Sequence, residues 1–407
     1  MCWINKKKWQ TLLLTAAIST ITGNAMVLPA FAAGMKEPGK AENAVPDGYD
    51  EKQWEMLQDN VLQYDELGDR IKLFNPDMIS ANEMYWSAMD DVKDQYMAAY
   101  KDAGDYKDDA DDLKDEGGLS TMDGQILYAT LRAYEKAMKS AGDKISRAYN
   151  YNTKSDASSY EPVRKGAKQL TSGAQQAMIG YNMAAAQQKT LQTMKEMYER
   201  LYSATISMEG LGMATDADVT AAKKNLLAAE SSLASLNNTV ASLGSTLRLL
   251  TGWTGENMPQ IDAVPPVELS KIDELNLQED TAEAICNNYT LIDERHKKTD
   301  RSTTRVKSKF RSEDQIEQNL SIKMEQMYQE IMEKKKNCEA ARTAYDQAVI
   351  IKNAAEIQMQ NGSVSQIEYL EQMLSYYQAE GEKTNADLSL RQAMELYYWA
   401  TAGLLDF

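Results

Sequence analysis

VTAAKKNLLAAESSLASLNNTVASLGSTLRLL, residues 219–250, is the stretch whose reading decides the fold. Taken every three and then four residues it gives Val219, Ala222, Leu226, Ala229, Leu233, Leu236, Val240, Leu243, Leu247 and Leu250, apolar at every step. Between them stand Lys223, Lys224, Asn225, Glu230, Ser231, Ser232, Asn237, Asn238 and Thr239, which favour water. A strict 3.5-residue repeat keeps one narrow stripe against a neighbouring helix through left-handed supercoiling. The alternation of small and large residues predicts close helix approach at the Ala levels. Upstream, Gly210-Leu211-Gly212 interrupts the preceding helix, and Asp216 and Asp218 stand where N-cap and first-turn acids belong. Downstream, Thr251-Gly252-Trp253-Thr254-Gly255 stops the helix. The stretch reads as one arm of an antiparallel coiled-coil hairpin.

The rest of the composition agrees with helix throughout. Only 8 Pro and 4 Phe occur in 407 residues, while Ala, Met, Gln, Glu, Lys and Leu abound. A net charge of −17 argues against nucleic acid as a partner. His296 is the only histidine, and apart from Cys2 the cysteines are Cys286 and Cys338, both in helical pattern. One possible pair is no disulfide framework, and a lone His supports neither a zinc site nor a catalytic triad. No phosphate-cradling glycine loop is present either. The chain is expected not to be an enzyme: no catalytic residue, cofactor or metal ligand is assigned.

The N-terminus reads as a signal peptide, residues 1–32. Lys6-Lys7-Lys8 is its basic start, Leu12 to Val27 its apolar middle, and Ala30-Phe31-Ala32 a small-x-small cleavage site. Its removal takes away three lysines and no acid, which leaves the remainder more acidic still. No second apolar run of membrane-spanning length follows, so the expectation is an exported protein without a transmembrane helix.

Further along, residues 33–53 read as a flexible leader. Helix is expected from Trp54 to Phe74, where Asn75-Pro76 breaks it, and again from Met78 through Tyr100. Residues 101–118 hold Asp102, Asp105, Asp108, Asp109, Asp111, Asp112, Asp115 and Glu116. The spacing lacks the central Gly and terminal Glu of an EF-hand calcium loop, so a solvated acidic insertion is expected. Helix resumes from Met122 to Tyr149, a polar turn covers Asn150 to Pro162, and a long helix runs from Val163 to Met208. After the seam helix comes a Pro-rich link at 259–268. A second half, 269–407, then brings a helix over Thr281–His296, a basic loop at 295–311, a long helix from Ser312 to Gln360, and a last helix ending at Leu405.

The two halves match. Gly212-Met-Ala-Thr-Asp-Ala-Asp218-Val219 has its counterpart in Gly362-Ser-Val-Ser-Gln-Ile-Glu368-Tyr369: a Gly, five residues, an acid and an apolar helix starter. The seam moved to the second half gives Tyr369, Gln372, Tyr376, Ala379, Lys383, Ala386, Leu390, Ala393, Tyr397 and Ala400, broken only by Gln372 and Lys383. Each copy closes on a glycine, Gly252 and Gly403. Phe74-Asn75-Pro76 has an echo in Asn287-Asn288-Tyr289. The chain is read as two tandem copies of one helical unit, 54–258 and 269–407.

With the Asn-Pro entry, the twin glycine turns near 210–218 and 361–368, and arms ending in Leu-Thr-Gly and Ala-Gly-Leu-Leu, the chain resembles the TolC-like outer-membrane efflux proteins over residues 55–405. The resemblance implies a trimer whose long helices form a periplasmic tunnel and whose hairpin turns meet the adaptor of a membrane pump. By position, the adaptor-docking tips are Gly212, Met213 and Ala214 with Gly362, Ser363 and Val364. The resemblance also implies two barrel strands per repeat, of about 9–11 residues each, and 150–162 and 296–311 are where they should fall. The first is a short polar turn. The second offers at most Thr303–Phe310, with Arg or Lys at alternate positions. The fold class expected is therefore all-α, with long antiparallel coiled-coil hairpins in two tandem repeats and the β-barrel strands absent. Family resemblance puts the protein in the outer membrane; missing strands fit a cell envelope without one. Arg301, Arg305, Lys307, Lys309 and Arg311 are read either as a solvated loop tip or as a contact to an anionic envelope surface. The competing function is a structural or binding coiled-coil protein of the envelope with no conduit.

Overall fold

The computed structural model describes residue 46 and residues 48–154, 157–253, 259–297 and 302–405. The signal peptide, most of the expected leader and Arg301 lie outside the described residues. Described residues form eleven α-helices, two short 3-10 turns and two strands of two residues each. They fall into two compact units: Pro76–Gly166, and 46–75 together with Ala167 onward.

In the second unit, α1 (Glu51–Gln58) starts from Asp50, whose carboxylate accepts from Gln53 N at 2.7 Å. The single helix expected over 54–74 is instead broken. Asp59 Oδ1 accepts from Val61 N at 2.8 Å and turns the chain into strand β1 (Val61–Leu62) before α2 (Leu67–Phe74). β1 pairs in parallel with β2 (Gln260–Ile261), which lies inside the expected Pro-rich link. The periodicity of 54–64 hides this, because a buried two-residue strand between short helices keeps the same apolar spacing.

The first unit is one helical hairpin. α3 (Pro76–Asp115) runs straight through the stretch expected as an acidic insertion and ends at Gly117, φ +77°. The correction has a packing cause. Ala103 and Ala110 are buried, Tyr106 lies tilted against Tyr134 with ring centres 5.4 Å apart, and Tyr100 Oη donates to Asp143 at 2.8 Å. A seam therefore continues beneath the acids, six of which are exposed, while Asp111 pairs with Arg132. The return helix α4 (Met122–Asn152) is capped by Thr121, and the base of the hairpin is a core of Tyr85, Met89 and Val92 with Ile145 and Tyr149. The expected turn at 150–162 shrinks to a 3-10 turn at Ser158–Tyr160.

α5 (Glu161–Gly210) then descends and α6 (Asp216–Leu250) returns; the second half has α7 (Leu269–Asp273), α8 (Leu277–Asn287), α9 (Tyr289–His296), α10 (Thr303–Gln360) and α11 (Gln366–Thr401). Asn288 splits the expected 281–296 helix by N-capping α9, its side chain accepting from Leu291 N at 2.9 Å. Most of the expected basic loop is helix, because α10 begins at Thr303. At 58 residues, α10 is about 87 Å long.

The arms pack in the order α6, α5, α11, α10. Lys195 of α5 pairs with Glu230 of α6 at 3.6 Å, and Gln188 bonds Asn237 at 2.6 Å. Met197 and Leu201 of α5 share a core with Leu370, Met373 and Leu374 of α11. α11 meets α10 through Leu390, Ala393 and Tyr397 against Met324, Ile331 and Cys338. Every seam residue from Val219 to Leu250 is buried or half-buried, while all nine polar residues between them are exposed. Ala222, Ala229 and Leu247 are the seam's fully buried members. The polar break at Lys383 is absorbed by an aromatic face, its ammonium 4.7 Å from the Tyr345 ring centre, while Lys352 sits 4.9 Å from Tyr376.

Candidate functional site

Both hairpin tips are built by one device. At the first, Met213 N donates to Met208 O at 2.8 Å and Gly212 N to Glu209 O at 2.8 Å; at the second, Ser363 N donates to Gln358 O at 2.8 Å and Gly362 N to Met359 O at 3.1 Å. This is the Schellman closure, which needs a left-handed residue after the helix. Gly212 and Gly362 supply it at φ +73° and +67°. The returning helices start alike. Thr215 accepts from Asp218 N at 3.3 Å, and Ser365 from Glu368 N at 3.1 Å.

Six residues were expected at the tips. Gly212, Met213, Gly362 and Ser363 are exposed, whereas Ala214 and Val364 are half-buried under the turn. The first tip is the more apolar, with Leu211 75% and Met213 69% exposed, where the second has Asn361 and Ser363. Leu211 was missed as a tip residue, although its place between two glycines signalled it. The first tip also carries linked carboxyls. Thr215 N–H and then its hydroxyl donate to Asp218 and hold it below the usual carboxylate range. Glu209 is held above that range, chiefly by a hydrogen bond shared with Asp216.

At the opposite ends of the arms the same Schellman closure recurs. Trp253 N donates to Arg248 O and Leu404 N to Trp399 O, both at 2.9 Å, around Gly252 (φ +64°) and Gly403 (φ +97°). Here the glycines are hemmed in. A Cβ on Gly252 would lie 1.9 Å from Phe74 O, and one on Gly403 would lie 2.1 Å from Asn287 O. Asn75 Nδ2 donates to Leu250 O at 2.8 Å, Asn287 Nδ2 to Thr401 O at 3.0 Å and Asn288 Nδ2 to Leu405 O at 2.8 Å. The two Asn echoes and the two closing glycines, noticed separately in the sequence, therefore meet as paired clasps. Their meeting was not legible from spacing alone.

The basic candidates divide. Arg305, Lys307 and Arg311 are exposed on the first turns of α10. Lys309 is committed to the fold: its Nζ donates to Arg295 O at 2.6 Å and Lys297 O at 2.9 Å, and lies 3.7 Å from Glu313. It caps the C-terminus of α9. Phe310 beside it is 58% exposed.

Elsewhere in the arms, Cys338 is buried and donates to Asp387 at 2.8 Å; burial and that carboxylate push the thiol up to about 11, so it is unreactive. No group of His, Cys, Asp and Glu suited to a metal ion occurs among the described residues, and no described helix is long and apolar enough to cross a membrane.

No protein-family model matches the chain, and no curated protein does. Among solved structures it is similar to CusC, described as undergoing conformational changes on folding and transmembrane channel formation, at 14% identity over 88% of this chain and 97% of that one, TM-score 0.45. It is also similar to the Campylobacter jejuni outer membrane channel CmeC, at 11% identity over 86% and 87%, TM-score 0.44. A third likeness is to the outer-membrane channel OprN, at 10% over 92% and 97%, TM-score 0.41. These are TolC-family channels, the family the sequence resembles. At TM-scores and identities this low, the likenesses decide nothing about function by themselves.

Proposed function

We propose that this chain is a duct-type component of an export system: an exported, TolC-like helical protein that closes into a ring with further copies of itself and meets a pump adaptor through its hairpin tips. The observation that carries the reading is an uncovered seam on the edge helix α10. Ala340, Thr343, Gln347, Ile350, Ala354 and Ile357 follow the three-then-four spacing, and all are exposed; Thr343 and Gln347 are its polar members. Its apolar weight lies toward the tip, where Ile350 is 69% and Ile357 59% open, with Ile351 beside them also exposed. α6, at the other edge of the arms, packs on α5 and exposes small residues such as Ala221, Ala228 and Ala234, with Leu227. A layer with two different open edges joins head to tail, and such contacts form rings when the rotation closes. Burying an isoleucine fully is worth about 1.5–3 kcal/mol.

The tips suit an adaptor for a separate reason. They are alike in backbone, exposed, and free of neighbours where a Cβ would stand, so a partner helix end can approach the backbone closely. The chain would contribute shape and passage, with energy supplied by the pump. Arg305, Lys307 and Arg311 would face an anionic envelope surface at the end of α10 away from the tips.

The test of the ring is the mass in solution of the full chain beside Ile350→Ser with Ile357→Ser. The reading expects an oligomer, trimeric by resemblance, that falls to a monomer in the double variant with helicity kept. A native chain that stays monomeric at every concentration would leave the envelope rod without a conduit as the better account.

A further inference from the structure

The arms contain, inside one chain, a template for the contact that their two edges lack. α5 of the first copy of the helical unit packs on α11 of the second. α10 and α6 are the same two helices with the copies exchanged, and each stands at an edge. Residues correspond through a shift of 150 at the tips, where Gly212 matches Gly362, and of 151 at the clasps, where Gly252 matches Gly403. The α5–α11 contact can therefore be transferred level by level to α10 and α6.

Farthest from the tips, Trp399 Nε1 donates to Gln175 Oε1 at 2.7 Å. Arg248 matches Trp399, since each accepts the Schellman bond of its own clasp, and Glu325 matches Gln175. The neutral bond within the chain becomes an arginine opposite an exposed carboxylate. At mid-height, a Cβ built on Gly381 would stand 3.6 Å from Thr190 Cβ. The counterparts are Ser231 and Ala340, both small and both exposed, so the same close approach can be repeated. Nearer the tips, Met194 and Tyr377 pack beside the shared core, and exposed Ala344 and Leu227 take their places. Here Met373 and Leu374 give way to Lys223 and Lys224, and Leu201 to Ile351. Lysine stems can cover that isoleucine, with exposed Asp346 at the same level of α10 for their ammonium groups.

We propose that α6 of one copy lies on α10 of the next in the register of α11 on α5, which sets Arg248 opposite Glu325 and Ser231 opposite Ala340. The inference rests on the oligomeric reading above and fixes the register that it leaves open. The occupant of the α10 edge must supply a cation at the height of Glu325, a small residue at Ala340 and apolar cover at Ile351. α6 carries all three, in this order and at the intervals that α11 shows. The contact is head to tail, so its two sides differ and neither face meets its own copy.

The test is disulfide cross-linking of the full chain carrying Cys2→Ser and Cys286→Ser, which removes the thiols other than buried Cys338. Ser231→Cys together with Ala340→Cys, oxidised mildly, should give covalently joined chains on a denaturing gel. The Thr190–Gly381 template puts those Cβ atoms within disulfide reach of about 3.5–4.5 Å. Either substitution alone should stay single. So should Ser231→Cys with Gln347→Cys, which stands about 10 Å further along the same stripe. If the protein is oligomeric by mass and the 231–340 pair does not link, or the 231–347 pair links in its place, the register falls while the ring reading stands. Linking by Ser231→Cys alone would mean that like faces meet, and would overturn the head-to-tail contact. If the native chain is monomeric, both proposals fall together.

Discussion

Replacing the four positive-φ glycines of the arms by alanine, one at a time, should sort them into two pairs. All four place a Cβ in the left-handed region, which costs an L-residue roughly 1–2 kcal/mol. Part of this is returned by the stiffer unfolded chain, about 0.4–1 kcal/mol. At Gly212 and Gly362 no atom lies within 4 Å of the new methyl, so the net loss should be about 1 kcal/mol. At Gly252 the methyl would sit 1.9 Å from Phe74 O and 2.4 Å from Phe74 C; at Gly403 it would sit 2.1 Å from Asn287 O. Those are backbone atoms, so the clasp must open. Opening it strands the buried Asn75 or Asn288 amide, and each unsatisfied buried group costs about 1–3 kcal/mol. The clasp variants should therefore lose upwards of about 3 kcal/mol. Urea unfolding followed by far-ultraviolet circular dichroism measures all four. Equal losses at Gly212 and Gly252 would overturn this sorting, since only the close carbonyl distinguishes them.

Other outcomes follow from the same geometry. Lys309→Met should lower the melting temperature by freeing the α9 carbonyls, whereas Lys307→Ser and Arg311→Ser should leave melting unchanged and weaken binding to anionic vesicles; a loss of stability in the double variant would contradict that division. Leu211→Ser with Met213→Ser should keep the fold and reduce export in cells, read as retained substrate. Asp218 is more acidic in the fold than in the unfolded chain, near 3.9, so its capping contribution is full above that value and is lost as pH falls through its folded value. Glu209 has the opposite sign, favouring the fold at low pH and losing that favour as pH rises through its raised value. Hydrogen exchange in the first turn of α6, corrected for intrinsic rate, should therefore quicken on acidification in the native chain and not in Asp218→Asn.

The long arms were legible because their information is periodic and local. A stripe such as Val219–Leu250 specifies helix, partner and register together, and the structure buries it as read. The glycine turns were legible for a related reason, since only a residue without Cβ strain ends a helix in the Schellman manner. The two-residue β1–β2 ladder was not, because two short runs roughly 200 residues apart pair through backbone, which leaves no mark in residue type. The acidic stretch misled through composition: eight acids from Asp102 to Glu116 suggest solvent, and six of them are exposed, but Ala103, Tyr106 and Ala110 hold the helix beneath them and Asp111 pairs with Arg132 across the hairpin. The basic segment misled in the same direction. Lys309 looked like one more surface charge, and only the end of α9 beside it reveals the cap. As for the candidate site, sequence placed the two glycine turns, while exposure adds Leu211 and sets it and Met213 apart from Ala214 and Val364.

The duct reading stands or falls on whether copies of this chain close on one another. Native mass spectrometry of the full chain reads that out. One dominant closed species at three times the chain mass is expected, lost in Ile350→Ser with Ile357→Ser. A monomer unchanged over a wide concentration range, or an open ladder of twofold, threefold, fourfold and larger masses, would contradict it.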